Sequence, residues 1–161
     1  MEFLEIVFDF KTKYLDELLF HEFKLKPDHI KSSHFYDTDK EIDIEFHEIT
    51  SFSNFFAKQG TGTIVVKEIC LGMIMEEVFI LFSFDGESGT IDISFPESEL
   101  IEDKIFNKEK GLQLIEYFSS FMKRYELKSV RFGYEPATDD DTCLIELKEG
   151  MTQMKDLVNN L

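Results

Sequence analysis

Three apolar runs separated by turn residues constrain the fold of this chain more than any other feature. Residues 63–71, 73–84 and 90–95 are rich in Ile, Val and Phe, which strands favour. The segment Asp85-Gly86-Glu87-Ser88-Gly89 supplies the backbone freedom that a tight reversal requires. Because short turns join strands that pair antiparallel, the three runs predict an antiparallel meander.

The chain before the meander opens with a strand and a helix. Every second residue from Leu4 to Phe10 is apolar, so residues 2–10 predict a strand with one face on the core. Apolar residues then recur at helical spacing over 13–25. Thr12 is in position to cap this helix, and Pro27 ends the pattern.

A hairpin and a short helix are predicted next. Residues 29–36 and 41–47 form two strand-like runs around the polar turn 37–40. Residues 50–57 place three phenylalanines at helical offsets before Gly60-Thr61-Gly62 breaks the pattern.

The last third of the chain predicts a long helix, two strands and a short helix. Residues 108–125 carry a helical apolar stripe that includes Leu112, Ile115, Phe118 and Met122. Strands are predicted over 129–134 and 142–147, and a final short helix over 152–161. One of these late strands could run parallel to the first strand.

These elements predict a single α+β domain over residues 1–161. We expect a mostly antiparallel sheet, a helix after the first strand, and the longer helix over about 108–125 packed on the sheet. No internal repeat or Pro/Gly/Ser-rich linker divides the chain.

Composition restricts the partners of this domain. The chain has 33 Asp and Glu against 17 Lys and Arg, a net charge of −16, yet 43% of its residues are hydrophobic, which argues against disorder. Phosphate binding draws on excess Lys and Arg, so we expect no direct contact with nucleic acid or anionic membranes. The acidic start of the chain and its short apolar runs predict a soluble, cytoplasmic protein.

The sequence carries no catalytic or metal-binding motif. Its four histidines and two cysteines lack the spacing of zinc ligands. The acidic turn after Asp37 has Ile42 where a calcium loop needs glycine. Cys70 and Cys143 lie in apolar runs that suit buried free thiols, with no disulfide framework. We therefore predict a non-enzymatic protein with no catalytic residue, no metal and no cofactor.

Acidic clusters remain as the candidate functional feature. Clustered carboxylates repel one another unless a cationic group approaches, so they favour a basic protein partner. One cluster is the pair Glu76-Glu77. The predicted partner-binding residues are Glu97, Glu99, Glu102, Asp103, Tyr134, Glu135, Asp139, Asp140 and Asp141. Two alternatives stay open: the clusters only keep the surface solvated, and Tyr134 only closes a strand by packing inward.

The segment from Ile64 to Leu100 resembles immunity proteins of bacterial polymorphic toxin systems. The resemblance rests on a small acidic α+β chain with an opening strand and helix. It also rests on a central hairpin whose second arm, Gly89-Thr90-Ile91-Asp92-Ile93-Ser94-Phe95, leads into Pro-Glu-Ser-Glu-Leu. It covers about the first two-thirds of the chain and carries over no site residue. It implies a cytoplasmic inhibitor that binds one cognate toxin, with the carboxylate clusters as its binding face.

Three functions therefore compete at this point. The leading hypothesis is an acidic immunity protein that neutralises a basic toxin, such as a nuclease, by binding it. The alternative is a small-ligand-binding or catalytic domain whose site assembles from distant residues, which would show as a cleft with perturbed carboxylates. The third is a homodimeric structural protein with an exposed patch around Phe52, Phe55 and Phe56.

Overall fold

The computed structural model describes residues 2–150 of the chain. The strands are β1 (Phe3–Lys11), β2 (Ile30–Asp37), β3 (Ile42–Ile44), β4 (Gly60–Cys70), β5 (Ile74–Asp85), β6 (Ser88–Pro96), β7 (Ile101–Glu102), β8 (Ile105–Phe106), β9 (Ser129–Tyr134) and β10 (Cys143–Lys148). The α-helices are α1 (Leu15–Glu17), α2 (Phe52–Phe55) and α3 (Lys108–Tyr125). Single 3₁₀ turns cover Thr12–Tyr14, Pro27–His29, Phe46–Glu48 and Glu97–Glu99, and a π turn covers Leu18–Glu22. The helix predicted over 152–161 lies outside the described residues.

Eight of these strands form one sheet in the order β10-β9-β1-β6-β5-β4-β2-β3. Each strand pairs antiparallel with its neighbours, and β4, β5 and β6 form the predicted meander. The predicted α+β fold with a mostly antiparallel sheet is therefore confirmed. Strand β9 runs antiparallel to β1, and β10 pairs antiparallel with β9. One late strand, β10, therefore runs in the same direction as the first strand, as the sequence allowed, although the two do not pair.

Helix α3 packs on the sheet and has the predicted boundaries. The side chain of Asn107 caps its first turn by accepting a hydrogen bond of 3.0 Å from the backbone N–H of Lys110. Phe118 and Phe121 lie on Phe8 of β1, with ring centroids 6.0 and 5.2 Å apart. These contacts close the β1 region of one sheet face.

A second aromatic group closes the other half of the same face. The strand register places Phe8, Ile91, Phe82, Gly62 and Phe35 in one row across β1, β6, β5, β4 and β2. The ring of Phe35 contacts four other phenylalanines: Phe52, Phe55, Phe56 and Phe82. Phe52 and Phe56 are fully buried and Phe55 is half-buried. The exposed phenylalanine patch that the homodimer hypothesis requires is therefore absent from this region.

The helical segment after β1 differs from its prediction at both ends. Thr12 does not cap it, because its hydroxyl donates a hydrogen bond of 2.6 Å to the carbonyl of Gly86 and ties β1 to the β5–β6 turn. The segment ends at Glu22 and not at residue 25, since Lys24 adopts a left-handed conformation with φ of 53°.

Two smaller predictions were also wrong. The second arm of the first hairpin stops at Ile44, because Glu45 and Glu48 form a capping box that starts the 3₁₀ turn at Phe46. Cys70 is exposed rather than buried, since it lies at the end of β4.

We expect Gly62→Ala to destabilise the protein. A Cβ atom at this position would overlap the ring of Phe35, which is packed among four other rings and has no room to move. Overpacking of this kind costs about 1–3 kcal/mol. Urea unfolding measures the loss.

The matched control for this substitution is Gly60→Ala on the same strand. Its Cβ would meet Phe56 at 3.6 Å, an ordinary contact. An equal loss of stability in the two variants would contradict the packing account.

Candidate functional site

Two of the predicted acidic clusters meet at one end of the sheet. The start of β1 pairs with the ends of β6 and β9, since Phe3 lies opposite Pro96 and Leu4 opposite Tyr134. The hydroxyl of Tyr134 donates a hydrogen bond of 3.1 Å to Glu97 Oε2. We call this end of the sheet, with Glu97–Asp103 and Glu135–Asp141, the acidic end.

The cluster at residues 97–103 leaves the sheet after β6. Glu97 and Glu99 lie half-buried in a 3₁₀ turn, whereas Glu102 and Asp103 are exposed at the β7–β8 hairpin. The carboxylate of Glu99 accepts a hydrogen bond of 3.4 Å from the backbone N–H of Glu76. The third acidic cluster therefore also reaches this end of the sheet.

The cluster at residues 135–141 forms the loop between β9 and β10. Asp139, Asp140 and Asp141 are all exposed. Asp140 forms an ion pair of 2.8 Å with Arg131. Within residues 2–150, the side chains of Glu135, Asp139 and Asp141 make no hydrogen bond or ion pair, so these carboxylates of the loop remain available to a cation.

Tyr134 combines the two roles that the sequence left open. Its ring is half-buried against the core, as a residue that closes a strand would be. Burial raises the pKa of its phenol, and the hydrogen bond from its hydroxyl to the half-buried carboxylate of Glu97 raises it further. The side chain thus holds the acidic end together.

The sheet face opposite the helices is the part of the site that sequence reasoning missed. Strand register puts Glu5, Val7 and Asp9 of β1 on this open face. Asp92 of β6 lies there between Val7 and Leu81. An acid between two isoleucines is the only sequence signal for Asp92, and it does not reveal which residues lie opposite.

Glu5 is a carboxylate with little access to solvent. Glu5 as a whole is 5% exposed, and its Oε1 accepts a hydrogen bond of 2.7 Å from the backbone N–H of Ala137. Its other oxygen, Oε2, makes no hydrogen bond with residues 2–150. Burial raises the pKa of Glu5 against the opposing effect of the Ala137 hydrogen bond, and the charges of Asp92 and Glu135 raise it further.

Asp92 is also crowded by a like charge. Burial raises its pKa, and the carboxylate of Glu135 raises it again. No cation among residues 2–150 forms an ion pair with Asp92. The guanidinium of Arg131, two strands away, is already held by Asp140 and by Glu146 at 3.6 Å.

Exposed apolar side chains lie beside these carboxylates. Phe79 is 49% exposed and Leu81 is 40% exposed, although both are in the middle of the sheet. A depression of about 300 Å³ lies between them and the acids. It is lined by Phe3, Glu5, Phe79, Leu81, Asp92 and Glu135, together with the small polar residues Thr63 and Ser94. We call the first six of these residues the open-face patch.

The alternative of a small-ligand site finds little support in the core. An apolar cavity lies between α3 and the sheet, lined by Leu4, Leu114, Ile115 and Phe132 among others, and its volume is about 30 Å³. Ligand sites enclose about 300–1,000 Å³. The perturbed carboxylates lie instead on the outside of the sheet. The depression beside them has a volume of about 300 Å³ but is open to solvent and does not enclose a ligand.

Residues 2–150 lack two other kinds of functional feature. They contain no group of three or more His, Cys, Asp or Glu side chains placed to hold a metal ion. No helix in that range has the length and apolar character needed to cross a bilayer.

We expect Asp92→Asn to stabilise the free protein at neutral pH. The raised pKa means that Asp92 binds its proton more tightly folded than unfolded, so wild-type stability falls as pH rises from about 4 towards 7. Asn does not ionise, so the variant avoids this loss of stability. Because the carboxylate is only partly buried, the gain should stay below about 1 kcal/mol.

Urea unfolding of both proteins at pH 4 and pH 7 measures this difference. The gain should be larger at pH 7 than at pH 4. Glu116→Gln on the exposed side of α3 is the control for loss of one negative charge. A variant that is less stable than wild type at pH 7 would contradict the crowding of Asp92.

Comparison with known proteins adds two findings. A family model described as PABL017 Cdi1I immunity protein matches residues 2–150. The fold is similar to a chain in the 1.75 Å crystal structure of the toxic C-terminal tip of CdiA from Pseudomonas aeruginosa in complex with an immune protein. The TM-score is 0.65 at 15% identity, covering 94% of this chain and 97% of that chain. A search of curated proteins found no match.

Proposed function

Because the chain belongs to the PABL017 Cdi1I immunity protein family, we propose that it binds a CdiA-type toxic tip whose surface is basic. An immunity protein acts by binding its toxin and not by catalysis. The expectation of a non-enzymatic protein-binding module is confirmed by this membership. The charge of the toxin, its activity and the residues that bind it belong to the proposal.

The observation that carries the proposal is the gathering of separate acidic clusters at one end of the sheet. Glu97, Glu99, Glu102, Asp103, Glu135, Asp139, Asp140 and Asp141 are the proposed partner-binding carboxylates, with Tyr134 among them. A field of one sign steers an oppositely charged partner and raises its association rate. The net charge of −16 acts in the same direction.

A nuclease is the toxin class that this surface suits best. An enzyme that acts on nucleic acid needs a cationic cleft for phosphate groups. A folded acidic surface can occupy such a cleft and exclude the substrate. We place this inhibition in the cytoplasm, where a nuclease toxin would meet its substrate.

Binding of the purified chain to the CdiA toxic tip of the same bacterial strain tests the proposal. We expect a one-to-one complex whose Kd rises at least about tenfold between about 50 and 500 mM NaCl, because exposed charges are screened. Replacing Asp139, Asp141 and Glu102 by Asn or Gln should lower the association rate about three- to tenfold, with a smaller effect on dissociation.

The control removes three charges far from the acidic end: Asp85→Asn, Glu87→Gln and Glu116→Gln. All three side chains are exposed. If the control slows association as much as the acidic-end variant, net charge and not this surface steers binding. Failure of the wild-type chain to bind the toxic tip would overturn the proposed function.

A further inference from the structure

We propose that the open-face patch is the centre of the toxin interface and receives a long cationic side chain, lysine or arginine, from the toxin. The inference rests on the proposed function and assigns it a surface. The open-face patch is distinct from the acidic end, which borders it on one side. Glu135 belongs to both.

The first argument is the exposure of apolar side chains in the middle of a sheet. The outer face of a one-layer antiparallel sheet is ordinarily solvated and polar. Phe79 and Leu81 lie there on β5, the fifth strand from the β10 edge, flanked by Val65 and Thr63 of β4. Exposed apolar patches rimmed by polar groups mark surfaces that bind other proteins.

The second argument is the state of the carboxylates beside them. Glu5 is more than nine-tenths buried as a residue, with Oε1 bonded to the backbone N–H of Ala137. Its Oε2 has no hydrogen-bond partner within residues 2–150 and keeps access to solvent, from which a cation can approach it. Asp92 and Glu135 also make no hydrogen bond or ion pair there. Three like charges around one depression are unfavourable in the free protein, and a single cation seated among them would relieve the repulsion.

The shape and chemistry of the patch select the occupant. The depression has room for a long side chain whose head contacts the acids. Lys and Arg bury an aliphatic stem along apolar surface while the charged head finds polar partners. The ring of Phe79 can contact that stem, and an aromatic face also attracts a cation. A neutral or acidic occupant would leave the carboxylates uncompensated.

The geometry also fits the composition of known interfaces. Their buried centres contain aromatic and apolar anchors, and their rims are polar and exposed. Here Phe79 and Leu81 form the centre, and the acidic end supplies a charged rim continuous with it through Glu135. The helix-covered face offers no comparable surface, because α2 and α3 already bury it.

The test measures Kd for the CdiA toxic tip of the same strain with variants of the patch. Phe79→Ala combined with Leu81→Ala should weaken binding at least about thirtyfold, since central anchors dominate interface energetics. Ile42→Ala on β3 is the matched control: its side chain is 48% exposed but lies on the edge strand away from the patch. It should change Kd less than about twofold.

Asp92→Asn separates a binding role from a structural one. We expect it to weaken toxin binding about tenfold while the free protein becomes more stable at neutral pH. If Asp92 had a purely structural role, the variant would lose toxin binding and stability together.

The outcomes distinguish the inference from the proposed function. If wild type binds the toxic tip and the Phe79 and Leu81 variant binds equally well, the patch is not the interface, and the proposed function stands. If Asp92→Asn binds the toxic tip as tightly as wild type, the inference that a lysine or arginine of the toxin occupies the patch is wrong. If wild type does not bind the toxic tip, both proposals fail.

Discussion

The contact between aromatic side chains of α3 and β1 determines which face of the sheet a partner can reach. Phe118 and Phe121 lie against Phe8, and Phe121 also stacks on Phe10 with ring centroids 6.1 Å apart. These rings and the phenylalanines around Phe35 together cover one face of the sheet. The opposite face carries no helix from residues 2–150, so Phe79, Leu81 and Asp92 remain accessible there, whereas Glu5 is largely covered by the loop after β9.

The open face combines features that cost stability in the free protein. Like-charged carboxylates raise one another's pKa, and exposed Phe and Leu side chains contact water instead of the core. Folds tolerate such features where function uses them. The closed face supplies the compensating stability through two aromatic groups and a continuous apolar core.

Local patterns in the sequence predicted most of the elements but not the surface they form. The stripe in residues 108–125 predicted α3 correctly, because helical spacing is a local property and Asn107 marks its start. The apolar runs and turn residues that predicted the meander are also local patterns. Glu5, Asp92 and Glu135 come together only through strand register across β1, β6 and the loop after β9, and that register joins residues far apart in the chain. The first helix was predicted too long because the left-handed backbone at Lys24 has no glycine or asparagine to signal it.

Hydroxyl-radical footprinting of the chain, free and bound to its toxic tip, tests the central claim most directly, because it reads the exposure of Phe and Leu side chains without mutation. We predict that binding slows the modification of Phe79 and Leu81 several-fold and leaves Phe20 and Ile42, which are exposed elsewhere, unchanged. Protection of Phe20 or Ile42 with Phe79 and Leu81 still reactive would contradict the account.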